Sequence, residues 1–362
     1  MSLNIQNLLL YVKQNNFPDI HIKSWKKPYV RNRVWDLEKL DSFTFNWELV
    51  ECIEFTQDDV SNIIEYIAWK EGLDKFNEEF ELDTSYIVED SIRFRINCYK
   101  DSFWNSIAMR LIPNDIPSCD QIWLWENIKK MLEANKGIIL VTWPTWSWKS
   151  TNVAAMLDYI NETQKKHIIT IEDPIEFSFT DKNCLINQRE IWNHTKWFNQ
   201  AIKSSLREDP DVVLIWEMRD LETIRAALTL AETGHLVIST LHTNDTVQSI
   251  DRIIDVFPAV QQPQIRMQLS LSLVWIVSQR LLKRSDKEGR IPAREILLNN
   301  DAVKSLIIEW HTHQLYSVLE VSDKKGMVLM DKYLAALYRK SIISEKTMYS
   351  YARDVDIIKT LI

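Results

Sequence analysis

Gly137-Ile138-Ile139-Leu140-Val141-Thr142, followed by Trp143-Pro144-Thr145-Trp146-Ser147-Trp148-Lys149-Ser150-Thr151, is the stretch on which the fold turns. Its first six residues form an apolar run without alternation, the pattern of a strand covered on both faces. The segment from Asn152 to Tyr159 reads as a helix. With glycine in place of the three Trp, the connection becomes G-P-T-G-S-G-K-S-T. That satisfies G-x-x-x-x-G-K-[ST] and stands where such a loop must stand, between strand and helix. The loop works by turning successive backbone N–H groups toward phosphate oxygens, with the helix N-terminus behind them. Lys149 is then expected on the β- and γ-phosphates of ATP, and the Ser150 hydroxyl on Mg²⁺. As written, three indoles stand in the wrap of backbone around phosphate.

Composition gives the same anomaly independently. The 362 residues include 15 Trp and 5 Gly. An ordinary glycine share would give about 25. The two residue types together number 20. Five glycines are too few for the turns of a chain this long, because only Gly takes positive φ at little cost. The expectation is that UGA codons, glycine codons in the native host, are written here as Trp. The alternative keeps the Trp and leaves a loop that binds nucleotide poorly or not at all.

Charge and patterning narrow the class. Lys and Arg number 43 and Asp and Glu 51, a net charge of −8, which excludes a strongly basic nucleic-acid-binding face. The chain is 46% hydrophobic and 26% charged, the balance of a folded protein. No apolar run approaches the ~18 residues of a transmembrane helix. Met1 to Asn16 shows neither a basic start nor a small-residue cleavage site, so no secretory signal is expected. Cys52, Cys98, Cys119 and Cys184 form no C-x-x-C pair, which argues against a structural zinc site and fits reduced cytosolic thiols.

Length predicts about two domains. Residues 1–112 mix short alternating runs, Ile20-His21-Ile22 and Ile92 to Ile96, with a helical pattern over Asp58–Glu71 carried by Val60, Ile63, Ile64 and Ile67. Residues 113–118 hold Pro113 and Pro117 and read as a linker. From 119 to 362 the pattern is α/β. Buried-type runs at 137–142, 167–171, 211–215 and 235–240 are separated by helical segments, and the last sixty residues are mostly helical. Parallel strands covered on both faces follow.

Further motifs carry a resemblance to the secretion and type IV pilus ATPases, and within them to the PilT-type retraction motors. Asp19-Ile20-His21-Ile22-Lys23-Ser24-Trp25 resembles D-x-H-x-x-x-G. Glu172-Asp173-Pro174-Ile175-Glu176-Phe177 resembles the family's acidic box, and Asn187-Gln188-Arg189-Glu190-Ile191-Trp192 its N-Q-R-E-x-G. Asp211 to Asp220 is similar to its Walker B, D-x-x-x-x-G-E-x-R-D. Ala231-Glu232-Thr233-Gly234-His235 and Ser239-Thr240-Leu241-His242-Thr243 resemble its His box. The segment Asp301 to Trp310 is similar to the retraction motors' A-x-R-x-L-I-R-E-G, departing at Lys304 and Ile308. Trp25, Trp35, Trp104, Trp123, Trp192, Trp216 and Trp275 fall where this family accommodates glycine. Trp47, Trp69 and Trp197 are not assigned either way. The long N-terminal region and four-cysteine zinc insertion of the extension motors are not in the sequence.

The resemblance implies a small N-terminal α/β domain of PAS-like type and a RecA-like ATPase domain. It implies a cytoplasmic homohexamer, peripheral to the inner membrane, that hydrolyses ATP to drive pilus retraction through a membrane platform protein. The alternatives are an extension or type II secretion ATPase, or an inactive assembly subunit if the loop Trp are real. By resemblance Glu176 orients or deprotonates the attacking water. Glu217 follows a buried strand, where an unpaired carboxylate is costly, and a Mg²⁺-bound water there offsets that cost. His235 and His242 are assigned a catalytic or sensing role, although a spacing of seven sets them on opposite faces of a regular strand. Arg93 and Arg95 share a strand face at i, i+2. With Arg110 they are the implied arginine fingers on a neighbour's γ-phosphate. Arg207 and Arg219 read equally well as structural.

Overall fold

The computed structural model describes the chain except residues 1–4, 33–35, 46, 69, 90–91, 103, 113–115, 123, 125, 143–148, 192–193, 288 and 323–325, and except the side chains of 70, 71, 126, 127 and 149. The nucleotide-loop assignments Trp143, Pro144, Thr145, Trp146, Ser147 and Trp148, and the side chain of Lys149, therefore lie outside the described residues. So do Trp35, Trp69, Trp123 and Trp192.

The chain divides into two compact units, one of residues 1–115 with 174–179, the other of 116–173 with 180–362. The first unit holds strands β1 (Asp19–Lys23), β2 (Tyr29–Arg31), β3 (Leu37–Lys39), β4 (Ser42–Phe45), β5 (Glu48–Glu51), β6 (Glu81–Val88), β7 (Ile92–Lys100) and β8 (Asn105–Ile112). Six of them form an antiparallel sheet in the order β3-β2-β1-β8-β7-β6. Alternation in β1 and β7 sends Ile20, Ile22, Phe94, Ile96 and Cys98 into a core closed by Leu8, Leu9 and Val12 of the first helix and by Val60, Ile64 and Ile67. The helical pattern expected over 58–71 is two helices. The first, Gln57–Ile67, opens with a capping box between Thr56 and Asp59 and closes where Ala68 turns extended; the second is Lys70–Glu79.

The second unit carries β9 (Gly137–Thr142), β10 (His167–Glu172), β11 (Leu185–Glu190), β12 (Val212–Ile215), β13 (Leu236–Leu241), β14 (Leu273–Lys283) and β15 (Arg290–Leu298). They form one sheet, β11-β10-β12-β13-β9-β14-β15, parallel throughout except for the final antiparallel pair. Every residue of β9, β12 and β13 is buried, as the unbroken apolar runs predicted. Residues 149–163 form the helix after β9, longer than the expected Asn152–Tyr159. Gly137 has φ +114°, and a Cβ there would lie 2.5 Å from Val274 Cγ2 and 2.6 Å from the Ser272 carbonyl oxygen. Only glycine fits that approach.

Seven Trp fall within the described residues: 25, 47, 104, 197, 216, 275 and 310. Four take positive φ: Trp25 (62°), Trp47 (68°), Trp104 (154°) and Trp310 (61°). Positive φ is a genuine outlier for a bulky residue. Trp310 sits just past the helix Asp301–Ile308 and its cap Glu309. It donates to the Ile307 carbonyl, and His311 donates to that of Leu306. This is a Schellman termination, with Trp310 in the slot that usually holds glycine. Trp47 belongs to the hairpin between β4 and β5, where Phe45 pairs with Glu48, and it is fully exposed. The sequence there is Asn46-Trp47; Asn-Gly is the preferred dipeptide for such a turn. Trp275 is fully buried, and its indole N–H has no partner among the described residues. Replacing Trp47 by glycine removes a left-handed strain of ~1–2 kcal/mol and no packing. Trp47→Gly is expected to stabilise the protein by about 1 kcal/mol after glycine's own entropy, read from the denaturant midpoint.

Candidate functional site

In the second unit the strand directions place the motif ends together. β9, β10, β12 and β13 are parallel, so Thr142, Glu172, Ile215 and Leu241 all end their strands at the carboxyl edge of the sheet, where open α/β sheets bind ligands. Ser150 and Thr151 occupy the first turn of the helix after β9. Glu217 follows β12 and is held in place by its neighbours. The Trp216 N–H donates to the Ile171 carbonyl, the Met218 N–H to that of Thr240, and the Thr240 hydroxyl to that of Trp216.

The Glu217 carboxylate is 11% exposed and engaged at both oxygens. Arg219 Nη2 lies 2.6 Å from Oε2, and His242 Nε2 lies 3.2 Å from Oε1. The bond to Glu217 raises the Arg219 pKa above its ordinary value. The structure thus gives Arg219 a partner in the motif and joins His242 to Glu217. His235 is different. It precedes β13 at the opposite, amino-terminal edge, where Nδ1 lies 3.0 Å from the Leu230 carbonyl oxygen and 3.1 Å from the Thr233 hydroxyl. The six residues of β13 separate the two histidines by roughly 20 Å, so they do not share a site. Of the expected pair, only His242 reaches Glu217.

The acidic box is split. Glu172 ends β10, is buried, and accepts from the Thr170 hydroxyl at 2.7 Å and from Gln188 Nε2 at 3.2 Å. Glu176 clusters with the first unit, where its Oε1 lies 3.8 Å from Arg95 Nη1. Arg95 pairs across the sheet with Arg110, and Arg110 with Asp19. Arg93 lies two residues along the same face, buried, with Nη2 donating to the Ser85 hydroxyl. The first unit therefore brings Arg93, Arg95, Arg110 and Glu176 together. It adds Asp19, whose Oδ1 accepts from Arg110 Nε at 2.7 Å. Asp19 opens the D-x-H-x-x-x-G-like segment, but no local pattern in the sequence gives it a role. Its partner is 91 residues away, and only the register of β1 on β8 brings them together.

Behind the first turn of the helix after β9, Arg294 is almost fully buried. Its Nε donates to Gln279 Oε1 at 2.7 Å, and its Nη2 donates to the Ile122 carbonyl at 2.7 Å and to Asn152 Oδ1 at 3.1 Å. Burial pushes its pKa down to about 10, so it stays charged at neutral pH. No sequence signal marks it, because a lone Arg in a strand usually faces solvent.

A sequence profile of the type II/IV secretion system proteins matches residues 40–349. The chain belongs to this family. It is 38% identical over 351 residues to the type IV pilus retraction ATPase PilT of Pseudomonas aeruginosa, covering 97% of this chain and 98% of that one. It is 44% identical over 291 residues to a twitching motility protein of Neisseria gonorrhoeae, covering 80% and 78%. The crystal structure of the pilus retraction motor PilT with bound ADP superposes with a TM-score of 0.87 at 35% identity, covering 99% of this chain and all of that one. The α/β class, the ATPase class and the likeness to the retraction motors stand as expected from the motifs. Among the described residues, no helix is long and apolar enough to cross a membrane.

Proposed function

We propose that this chain hydrolyses ATP as a subunit of a homohexamer on the cytoplasmic face of the inner membrane, and thereby powers retraction of a type IV pilus through a membrane platform protein. The supporting observation is end-to-end similarity to a retraction ATPase, 97% of one chain against 98% of the other.

The backbone of 143–148 and the Lys149 ammonium hold the β- and γ-phosphates, with Thr151 in the same first helical turn. Ser150 and Glu217, hard oxygen donors at one edge of the sheet, suit Mg²⁺, with Glu217 reaching it partly through water. When bound, Mg²⁺ would supply positive charge to offset the charge that develops on the phosphate. Glu176 orients or deprotonates the attacking water. His242 reads the state of the γ-phosphate through its bond to Glu217. His235, at the other edge of the sheet, is assigned a structural role. Arg93, Arg95 and Arg110 reach the γ-phosphate of a neighbouring subunit.

Deleting the gene is expected to leave cells with surface pili that no longer shorten, and without twitching motility. Loss of surface pili on deletion would instead identify an extension motor.

A further inference from the structure

The first unit contains an arrangement that the roles above do not use. Asp19 opens β1 and is 7% exposed. A carboxylate so placed is costly unless paired. It has two guanidinium neighbours. Arg110 Nε lies 2.7 Å from Oδ1, and Arg31 Nε lies 3.7 Å from Oδ2. Burial lowers the pKa of His21, on the same face of β1, so the positive charge here belongs to the arginines.

The geometry of the Arg110 bond matters. The contact is made by Nε, so the two Nη groups at the end of the fork are not used in it. The Arg110 side chain is 58% exposed while that of Asp19 is 9% exposed. An anchored Nε on a rigid strand fixes the plane of the guanidinium and leaves its outer donors toward solvent. Arg110 in turn stands opposite Arg95, so Asp19, Arg110 and Arg95 line up across β1, β8 and β7. Two carboxylates, Asp19 and Glu176, against Arg31, Arg93, Arg95 and Arg110 leave this cluster net positive, suited to an anionic oxygen cluster such as a terminal phosphate.

We propose that Asp19 is a positioning residue for catalysis in trans: it holds the Arg110 fork in the orientation that meets the γ-phosphate of the neighbouring subunit. This rests on the reading of Arg110 as a residue acting on a neighbour. Asp19 itself touches no substrate. Misplacing a donor by about 1 Å costs on the order of a hundredfold in rate, so Asp19→Asn is expected to lower kcat tenfold to a hundredfold with little change in KM.

The test is subunit mixing, with glycine at 143, 146 and 148 in every chain. Lys149→Ala subunits bind no nucleotide but keep their arginines in place, and Asp19→Asn subunits bind nucleotide but hold Arg110 out of place. Mixed rings of the two are expected to exceed the summed rates of the separate variants, as are mixed rings of Lys149→Ala with Arg110→Ala. The double variant Asp19→Asn/Arg110→Ala is expected to be no slower than Arg110→Ala. A merely structural Asp19 gives no recovery on mixing. Recovery with Arg110→Ala but not with Asp19→Asn, or a parental rate for Asp19→Asn, overturns the proposal and leaves the arginine reading standing. Failure of the Arg110→Ala mixture, with mixed rings confirmed, removes the arginine reading itself. Should Asp19→Asn fail to fold, Asp19→Glu keeps the charge and shifts the anchor by one methylene. It is expected to show the same recovery at a smaller loss, and a parental rate for it overturns the proposal.

Discussion

A chain carrying glycine at 143, 146 and 148 is expected to bind ATP, and the chain with tryptophan at those positions is not. A phosphate-cradling loop works through its backbone. Its N–H groups converge on the phosphate oxygens, and the conformation needs residues without Cβ where the chain turns and where it approaches the ligand. Three indoles remove both conditions. The expectation draws support from elsewhere in the chain. Trp25, Trp47, Trp104 and Trp310 adopt φ between 61° and 154°, and Trp310 closes a helix in the manner of glycine. Gly137, one of the five glycines, shows a true glycine requirement at the start of β9. The measurements are nucleotide affinity of the two versions and the mass of the tryptic peptide 137–149 from the native host. That peptide is expected to carry four glycines, Gly137 and those at 143, 146 and 148. A mass with three tryptophans would sink the recoding, and with it an active loop, and would favour an inactive assembly subunit.

What the sequence disclosed follows the range of the interactions involved. β9, β10, β12 and β13 were legible because a strand buried on both faces must be apolar at every position, and nothing beyond the strand is needed to see that. Glu217 was legible because an acid directly after such a strand requires a reason. The pairing of His242 with Glu217 was not, because β12 and β13 are neighbours only through a parallel register that no local pattern encodes. The motif joins His235 to His242 in sequence, while a six-residue strand holds the two at opposite edges of the sheet. Residues 174–179 cluster with the first unit although sequence surrounds them with the second. No composition shift marks that excursion: Ile175 and Phe177 are buried there without a periodicity of their own. Asp19, Arg294 and Glu295 belong to the same class. Glu295 is buried in β15 and accepts from the Thr246 N–H at 3.0 Å and the Met330 N–H at 3.3 Å, the first residues of two helices. A buried charge of this kind is set by partners far along the chain, and sequence reads it as an ordinary polar residue.

In the glycine-bearing chain, Glu217→Gln and Glu176→Gln are expected to bind ATP within a few-fold of the parent and to lose turnover by about a hundredfold or more, while Lys149→Ala loses binding itself. In the proposed site Lys149 supplies the loop's side-chain cation on the phosphates, so its removal is expected to be felt already in the ground state. The proposed roles of the two glutamates come later. Glutamine at 217 keeps the size of the side chain and one acceptor for Arg219 or His242, which now hold Glu217 at 2.6 and 3.2 Å. It loses the negative charge on which the proposed metal-bound water would depend, a loss expected in the transition state and therefore in kcat. Glu176 needs one more control, because it lies 3.8 Å from Arg95 and its removal also frees that arginine. If Glu176 serves only to hold Arg95, then Arg95→Ala should lose as much as Glu176→Gln, and the double variant no more than either. If Glu176 handles the water, Glu176→Gln should be the more severe and should remain so in an Arg95→Ala background. The ion pair is long and partly solvated, with side chains 39% and 31% exposed, and contacts of that kind contribute at most about 1 kcal/mol. That changes the population of the held Arg95 conformer by less than tenfold, so loss of the pair alone is not expected to carry a hundredfold fall in rate. A parental rate for Glu176→Gln would remove it as the water-activating group and leave Glu217, with His242 beside it, as the next candidate at the carboxyl edge of the sheet.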